Sequence, residues 1–443
     1  MVRNHANVLI DILTRHKAGH PVGITSICSA HPAVLEAACA RGQATGGVVL
    51  VESTCNQVNH RGGYTGMTPA EFVAYARGIA GHTGLSSELL VLGGDHLGPS
   101  PWQEFPAAAA MDEARELVRA YVAAGYTKFH LDASMRLGGD PPRLPVELAA
   151  ARTADLATVA EAHRRSDAPA PVYVIGTEVP IPGGAQADDD APIPSRPSDA
   201  AATLAATHAA FLARGLAAAW SRVTAVVVQP GVEYSDDRVF DYQPAAAADL
   251  ARFIESQPGL VFEAHSTDYQ TPGALRDLVR DHFAVLKVGP ALTFAYREAI
   301  FALEMIEHEW LGRRPGIALS AVRAALETAM LANPGHWHKY YGNDPAEQAL
   351  RRSFSYSDRS RYYWQRPEVQ AAVARLHTNL SGPLPLTLLS QFLPQQYALV
   401  RNARLANNLP ALLRGSITAA LDPYVAATGG DAQRMSSRHR AAA

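Results

Sequence analysis

Eight short apolar runs recur along the first two-thirds of the chain, and they constrain its fold more than any other feature. Valine, isoleucine and leucine dominate the runs, without regular alternation with polar residues. This pattern is typical of parallel strands that are buried on both faces. The runs are PVGITSICS from Pro21, GVVLVESTC from Gly47, LLVLGGDH from Leu89, YTKFHLDAS from Tyr126, VYVIGTEVP from Val172, VTAVVVQPG from Val223, LVFEAHSTD from Leu260 and AVLKVGPAL from Ala284.

Helical patterns fill the gaps between these runs. One helix is predicted to start at Pro69 after a capping Thr68, and another carries an apolar stripe from Met111 to Tyr121 and ends at Gly125. Strand–helix alternation repeated eight times over roughly 270 residues predicts a (β/α)₈ TIM barrel, an α/β fold. The rival fold, a doubly wound open sheet, usually has a G-x-G-x-x-G turn after its first strand, and SICSAHPAV lacks one.

The strand patterns stop well before the end of the chain. We expect the barrel over residues 1–296, a C-terminal helical region over 297–424 and a disordered tail over 425–443. The loop over residues 181–200 is long, acidic and rich in proline. A mobile flap over the active site and an ordinary solvated insertion both fit this composition.

Charge, apolar runs and cysteine content argue against several classes of protein. The 443 residues carry a net charge of −3, which provides no electrostatic footprint for nucleic acid or for an anionic membrane. No apolar run is long enough to span a bilayer, and the first residues lack a signal-peptide pattern. Three cysteines do not make a disulfide framework. We therefore expect a cytoplasmic protein whose partners are neither nucleic acids nor membranes.

Polar residues gather where the predicted strands end. Active sites of barrels lie at the carboxyl ends of the strands, so these side chains are expected to meet at one rim. A whole ring of carboxylates, imidazoles and amides is hard to explain by packing. Its members, in strand order, are Ser29 and His31; Glu52, Asn56 and Gln57; Asp95 and His96; His130, Asp132 and Ser134; Thr177 and Glu178; Gln229 and Glu233; Glu263, His265 and Asp268; Lys287 and Thr293.

Imidazoles and carboxylates from separate strands suit a divalent metal ion. His96, Glu178 and His265 follow the third, fifth and seventh strands, and we predict that they bind such an ion. Zn²⁺ or Mn²⁺ fits these ligands best, and Ni²⁺, Co²⁺ and Mg²⁺ stay open. Asp95, next to the first ligand, is expected to act as a general base.

Three other carboxylates are predicted to be catalytic. Glu52 and Glu263 lie inside apolar strands, where a carboxylate costs several kcal/mol unless it is paired or bound to metal. Asp132 either joins the chemistry or caps the following loop, and Lys287 meets either substrate or a rim carboxylate. The side chains expected to bind substrate are Ser29, His31, Asn56, Gln57, Gln229, Asp268, Lys287 and Thr293.

Two further histidines, His336 and His338, have the spacing of a metal-binding pair. Their loop lacks a carboxylate partner, so we interpret both as surface histidines.

Long motifs throughout the chain resemble the GatZ/KbaZ-type D-tagatose-1,6-bisphosphate aldolase subunit family. The resemblance covers nearly the whole chain except the tail. The motifs are SICSAHPAVLEAA, ESTCNQVNHRGGYTGMTPAEF, LGGDHLGP, FHLDASM, VIGTEVPIPGG, VVVQPGVE, EAHSTDYQT, LKVGPALTFAYREAIFAL, SYSDRSRYYW and SQFLPQQY.

The resemblance implies one of two functions. Some members support the activity and stability of a smaller class II aldolase chain, which would then be the partner. Others resemble metal-dependent epimerases that invert C4 of ketohexoses such as fructose and tagatose. For an epimerase we expect retro-aldol chemistry, in which Asp95 or Glu263 removes the C4 hydroxyl proton, the C3–C4 bond breaks, the aldehyde turns and the bond re-forms.

Comparison with the catalytic class II aldolases qualifies this expectation. Asp95 and His96 match their Asp-His pair, but Glu178 stands where those enzymes have a zinc-binding histidine. His265 is kept, whereas the glycine-rich phosphate loop after it is replaced by residues 266–269. Asp268 in this stretch repels phosphate and favours the hydroxyls of a free sugar, so the phosphorylation state of the ketose stays open.

Alternatives to this mechanism also remain. Glu178 and Glu263 on opposite faces of the sugar would allow direct exchange of a C–H proton. A non-catalytic aldolase subunit and a sugar-binding protein without chemistry are two further interpretations, of which the second is disfavoured by the carboxylates on the rim. A homo-oligomer is a further partner that the sequence leaves open.

Overall fold

The computed structural model describes residues 5–166, 168–176 and 192–429. Eight strands form a closed parallel barrel in the order β1-β10-β9-β6-β5-β4-β3-β2, and β7 and β8 form a separate hairpin. The strands are β1 (Ile24–Ile27), β2 (Val49–Thr54), β3 (Leu90–Leu97), β4 (Lys128–Leu131), β5 (Val172–Ile175), β6 (Val223–Val227), β7 (Glu233–Tyr234), β8 (Val239–Phe240), β9 (Val261–Ala264) and β10 (Phe283–Val288). The predicted TIM barrel is confirmed, and each of the eight apolar runs supplies one barrel strand.

Helices surround the barrel and form the region that follows it. None of those in the described chain combines the length and the low charge needed to cross a membrane. They are α1 (His5–Lys17), α2 (Pro32–Thr45), α3 (Pro69–Thr83), α4 (Ala107–Ala124), α5 (Val146–Ala162), α6 (Pro197–Ala213), α7 (Ala217–Trp220), α8 (Pro244–Glu255), α9 (Pro272–Arg280), α10 (Pro290–Leu311), α11 (Val322–Ala332), α12 (Pro345–Phe354), α13 (Pro367–Asn379), α14 (Leu386–Phe392), α15 (Pro394–Arg401) and α16 (Leu409–Ala427).

Local sequence signals set the helix ends. The side chain of Thr68 accepts the backbone N–H of Glu71, whose own side chain accepts the N–H of Thr68, so α3 begins with a complete capping box. Helix α4 ends at Gly125, which has a φ of 90°. Both ends agree with the sequence prediction.

The amino-terminal end of the barrel interior is apolar. Leu9, Ile12 and Leu13 of α1 pack against inward-facing strand residues such as Leu50 and Val91. This end is therefore filled by hydrophobic side chains, and the polar residues of the strands lie toward the other end.

A bulge explains how two adjacent residues, Asp95 and His96, reach the same cavity. Neighbouring side chains of a regular strand point to opposite faces. The register between β3 and β4 shifts between Gly94 and Leu97, and His96 has a φ of 48°. Such a bulge redirects a side chain, and both residues line the cavity at the barrel mouth.

The helical region after the barrel is continuous with it. Helix α10 runs through residue 296, the predicted domain boundary, and α16 packs back against α2, α9 and α10. Helix α16 ends at Ala427, within the predicted tail, and residues 430–443 lie outside the described part of the chain. Most of the loop over residues 181–200 also lies outside it.

We predict that Gly98→Ala destabilises the barrel rim. A Cβ at residue 98 would lie 1.7 Å from the carbonyl oxygen of Asp132, so the ends of β3 and β4 would have to separate. The expected loss is about 3 kcal/mol in the free energy of unfolding, measured in urea. The control is Gly78→Ala, at an exposed helical position with no atom within 4 Å of the new Cβ. It should stabilise by about 0.5–1 kcal/mol, and equal stability of the two variants would contradict the prediction.

Candidate active site

A cavity of about 390 Å³ opens at the carboxyl ends of the barrel strands. Strand-end residues line one part of it, and residues from 335 to 362 of the C-terminal region line another. We call residues 334–364 the roof segment. The predicted site residues that line this cavity are Asn56, Gln57, Asp95, His96, His265, Asp268 and Lys287.

Four buried side chains form a cluster suited to a metal ion. One ligand atom from each of Asp95, His96, His130 and His265 lies within 4.8 Å of all the others. Nε2 of His130 is buried and has no hydrogen-bond partner among the described residues. A buried, unpartnered imidazole nitrogen beside two more imidazoles and a carboxylate fits a divalent cation.

This cluster differs in part from the predicted ligand set. His96 and His265 belong to it as expected. Glu178 lies outside the described residues, so its part in the site is a prediction. His130 was placed on the rim by the sequence but was given no role.

Carboxylates contact all three histidines of the cluster. Nδ1 of His130 lies 2.9 Å from Oδ1 of Asp95. Nδ1 of His96 lies 2.9 Å from Oδ2 of Asp132, and Nε2 of His265 lies 3.0 Å from Oε1 of Glu263. When a ring N–H donates to a carboxylate in this way, the other ring nitrogen is free to bind a cation. Asp132 also accepts the hydroxyl of Ser134 at 2.6 Å. It therefore contacts His96 and caps its loop at the same time, and its catalytic role stays a prediction.

Two lysines and two glutamates lie next to the cluster and pair with each other. We call these four residues, Lys128, Lys287, Glu52 and Glu263, the charge layer. Nζ of Lys128 lies 2.7 Å from carboxylate oxygens of both Glu52 and Glu263. Nζ of Lys287 lies 2.9 Å from Glu52 and 2.8 Å from Asp95. Glu52 and Glu263 are fully buried and do not line the cavity, so the structure places them below the position expected of catalytic groups.

Cationic neighbours keep Asp95 and Glu263 ionised. Burial alone raises the pKa of Asp95, but His96 and Lys287 outweigh this and hold the pKa well below its ordinary value. Burial is likewise outweighed at Glu263, where Lys128 and Lys287 hold the pKa well below the usual range. The floor of the cavity therefore carries fixed charges of both signs.

Lys128 is the member of the charge layer that sequence reasoning missed. It lies two residues before His130 in β4, so both side chains face the barrel interior. Two glutamates inside apolar strands require positive partners. Lys128 could have been found from this requirement and from its position two residues before His130 on the same strand.

Three predicted substrate-binding residues lie beside the main cavity. Ser29, His31 and Thr293 line an adjoining cavity of about 300 Å³. Burial lowers the pKa of His31 to about 3, so this imidazole is neutral. Oγ1 of Thr293 donates to Oδ2 of Asp358 at 2.5 Å, a contact that ties α10 to the roof segment.

Gln229 and Asp268 make contacts that the sequence did not predict. Oε1 of Gln229 accepts the backbone N–H groups of Gly231 and Val232 at 2.8 and 3.0 Å, so it stabilises its own loop, and Gln229 is not among the residues that line the cavity. Asp268 lines the cavity, and its Oδ1 also accepts two backbone N–H groups at the start of α10. Burial raises the pKa of Asp268 to about 6.

The roof segment contributes residues to which the sequence assigned no binding role. His338 is exposed, as expected of a surface histidine. His336 differs, because it is half-buried, stacks on Tyr362 with ring centroids 4.6 Å apart and lines the cavity. Arg359 and Arg361 line the same cavity.

Comparisons with known proteins agree with this architecture. Residues 9–429 match the family model described as D-tagatose-1,6-bisphosphate aldolase subunit GatZ/KbaZ-like. The D-tagatose 6-phosphate 4-epimerase of Agrobacterium fabrum (strain C58 / ATCC 33970) is 48% identical over 425 residues, which cover 95% of this chain and 98% of that protein.

A solved structure is also similar along most of the chain. The crystal structure of a probable tagatose 6 phosphate kinase from Sinorhizobium meliloti 1021 has 46% sequence identity and a TM-score of 0.84. The match covers 91% of this chain and 100% of the Sinorhizobium chain. The two relatives are named for the same sugar phosphate and for different reactions.

We predict that Lys128→Met destabilises the protein by about 3–5 kcal/mol, because two buried carboxylates would then share one lysine. Urea unfolding measures the loss. The double variant Glu52→Gln, Lys128→Met removes one charge of each sign and should recover at least about 1 kcal/mol. A single variant as stable as the wild type would show that the charge layer does not stabilise the fold.

We also predict that the cluster binds one divalent ion. His130→Ala should abolish tight Zn²⁺ binding, and Asp132→Asn should weaken it about 10–100-fold because His96 loses its orientation. Competition with a chromogenic chelator measures both affinities. The control is His20→Ala, at an exposed position far along the chain from the cluster residues. Unchanged affinity in the His130 variant would remove His130 from the site.

Proposed function

Because the chain belongs to the D-tagatose-1,6-bisphosphate aldolase subunit GatZ/KbaZ-like family, we propose that it is a metal-dependent 4-epimerase that interconverts D-tagatose 6-phosphate and D-fructose 6-phosphate. The observation that carries the proposal is the buried cluster of three histidines and Asp95 at the barrel mouth. The name of the Agrobacterium relative supports the substrate and the reaction.

His96, His130 and His265 are the residues that would hold the metal. Three protein ligands leave an open position for substrate, as in catalytic metal sites. A divalent cation bound there would supply Lewis-acid polarisation of the ketose carbonyl. Asp132 and Glu263 fix the rings of His96 and His265 in the orientation that this requires.

Asp95 is the general base. Its carboxylate lines the cavity and is kept ionised by its cationic neighbours, so it can accept the C4 hydroxyl proton. As the proton leaves, the C4 oxygen forms a carbonyl, the C3–C4 bond breaks and its electron pair passes into an enediolate of C2 and C3. The products are the enediolate of dihydroxyacetone and glyceraldehyde 3-phosphate.

Inversion follows from a half-turn of the aldehyde. Its other face is then presented to C3, the C3–C4 bond re-forms and Asp95 returns the proton to the C4 oxygen. All atoms are recovered in the epimer. The roof segment lines the same cavity, and we expect it to retain both fragments and so to favour inversion over net cleavage.

The surroundings of Glu263 favour this mechanism over direct exchange of a C–H proton. Its carboxylate contacts Lys128 at 2.7 Å, Lys287 at 3.3 Å and His265 at 3.0 Å. Asp95 has comparable contacts, with Lys287 at 2.8 Å and His130 at 2.9 Å, but Asp95 lines the cavity and Glu263 does not. Glu263 is therefore the worse placed of the two to remove a proton from the sugar. Glu178, the other acid of the direct mechanism, lies outside the described residues.

The experiment is turnover by the purified chain alone in D₂O, followed by NMR of the sugar phosphates. We expect EDTA to abolish conversion, added Zn²⁺ or Mn²⁺ to restore it, and C4 of the product to carry no deuterium. Asp95→Asn should lower kcat about 10²–10⁴-fold. The exposed Asp237→Asn is the matched control and should leave kcat unchanged.

Two results would contradict the proposal. Failure of the metal-loaded chain to convert either sugar phosphate would instead support a subunit role beside an aldolase chain. Deuterium at C4 would exclude the retro-aldol mechanism and support direct proton exchange.

A further inference from the structure

We propose that the guanidinium groups of Arg359 and Arg361 in the roof segment bind the phosphate of the substrate. This inference rests on the proposed function, and it assigns the phosphate to residues outside the barrel. Both arginines line the cavity that also contains Asp95 and His96. The ligand is a phosphate monoester at the end of the sugar that is remote from the reacting carbonyl.

Arg359 is a buried cation with unused donors. The residue is only 5% exposed, and its Nε has no hydrogen-bond partner among the described residues. The guanidinium lies 3.1 Å from the ring centroid of Tyr340 and donates from one terminal nitrogen to the carbonyl of His336 at 3.1 Å. A buried donor left unpaired is costly, so this side chain is expected to have a partner in the working protein.

Arg361 places a second positive charge close by. Its guanidinium donates to the carbonyl of Asp358 at 3.0 Å and to the hydroxyl of Tyr362 at 2.8 Å. In the described part of the chain, no carboxylate oxygen lies within 4 Å of the side-chain nitrogens of either arginine. Burial and the charge of Arg361 together lower the pKa of Arg359, so the two guanidinium groups lie close enough to repel each other.

An anion with several oxygens fits this pair best. Guanidinium groups donate two parallel hydrogen bonds to phosphate, and such charge-assisted bonds are strong in a partly desolvated site. The exposed Lys339 lines the same cavity and adds a third positive charge. A phosphate dianion carries as many charges as the two arginines, whereas sugar hydroxyls carry none.

The usual anion position in a barrel is already filled. Phosphates in TIM barrels frequently bind near the last two strands, at a helix N-terminus. Here Oδ1 of Asp268 accepts the N–H groups of Gly289 and Ala291, at the start of α10, at 3.0 and 2.8 Å. The protein's own carboxylate thus occupies these donors, and the substrate phosphate requires another site.

This placement also serves the proposed chemistry. The phosphate on C6 remains with the aldehyde fragment after the C3–C4 bond breaks. Arginines that hold it allow the aldehyde carbon to turn while the fragment stays bound. Weakening this contact should therefore raise the proportion of free glyceraldehyde 3-phosphate released in each turnover.

Calorimetry with an unreactive ligand tests the assignment without catalysis. D-Glucitol 6-phosphate lacks a carbonyl, and D-glucitol lacks the phosphate as well. We expect the wild type to bind the phosphate about tenfold or more tightly than the alditol. Arg359→Gln and Arg361→Gln should each remove most of this difference, and Arg361→Lys should retain part of it because the charge is kept. The exposed Arg313→Gln is the matched control.

The outcomes separate this inference from the proposed function. Arginine-dependent phosphate binding without turnover would support the site while the epimerase proposal failed. Turnover with a wild-type KM for sugar phosphate in both glutamine variants would overturn the site while the epimerase proposal stood. Stronger arginine dependence for the carboxylate of D-glucuronate than for the phosphate would also overturn it. Circular dichroism of each variant identifies any that fails to fold. If a glutamine variant does not fold, the phosphate preference of Arg361→Lys is compared with that of the wild type instead, and an unchanged preference would overturn the site.

Discussion

The charge layer is the constraint on which the rest of the site depends. Lys128 and Lys287 are held between Glu52 and Glu263 inside a barrel whose other end is filled with hydrophobic side chains. Burial opposes the charges of Lys128, Lys287 and Glu263, and the opposite charges beside them outweigh it. Burial alone lowers the pKa of Lys287, but Asp95 and its other neighbours raise it well above its ordinary value.

The charge layer also orients the groups that we expect to react. Glu263 orients His265, and Lys287 contacts Asp95, so one buried network fixes both a ring expected to bind metal and the proposed base. Asp132 does the same for His96 from the end of β4. The roof segment adds the cations that we assign to phosphate. On these assignments, the barrel carries the proposed chemistry and the roof segment binds the phosphate.

The sequence predicted the features that depend on local pattern. Apolar runs and helix caps are local signals, and they specified the barrel and the rim that carries Asp95, His96 and His265. How far a side chain lies from the barrel mouth depends on the register between strands, which local sequence does not reveal. Glu52 and Glu263 were expected at the reacting sugar, but the register of the barrel places them below the cavity. Gln229 was expected at the substrate, yet its amide oxygen is taken up by its own turn, a contact that residue type does not reveal. Arg359 reaches the cavity only through the path of the C-terminal region.

The central claim is that three histidines from separate strands surround one cation next to the ionised carboxylate of Asp95. Anomalous diffraction at the metal edge, from crystals soaked with Zn²⁺ or Mn²⁺, tests it most directly. Our account predicts a single strong peak within bonding distance of His96, His130 and His265, about 2.0–2.1 Å from each ring nitrogen for zinc. A peak elsewhere, with these three rings bound only to protein atoms, would contradict it.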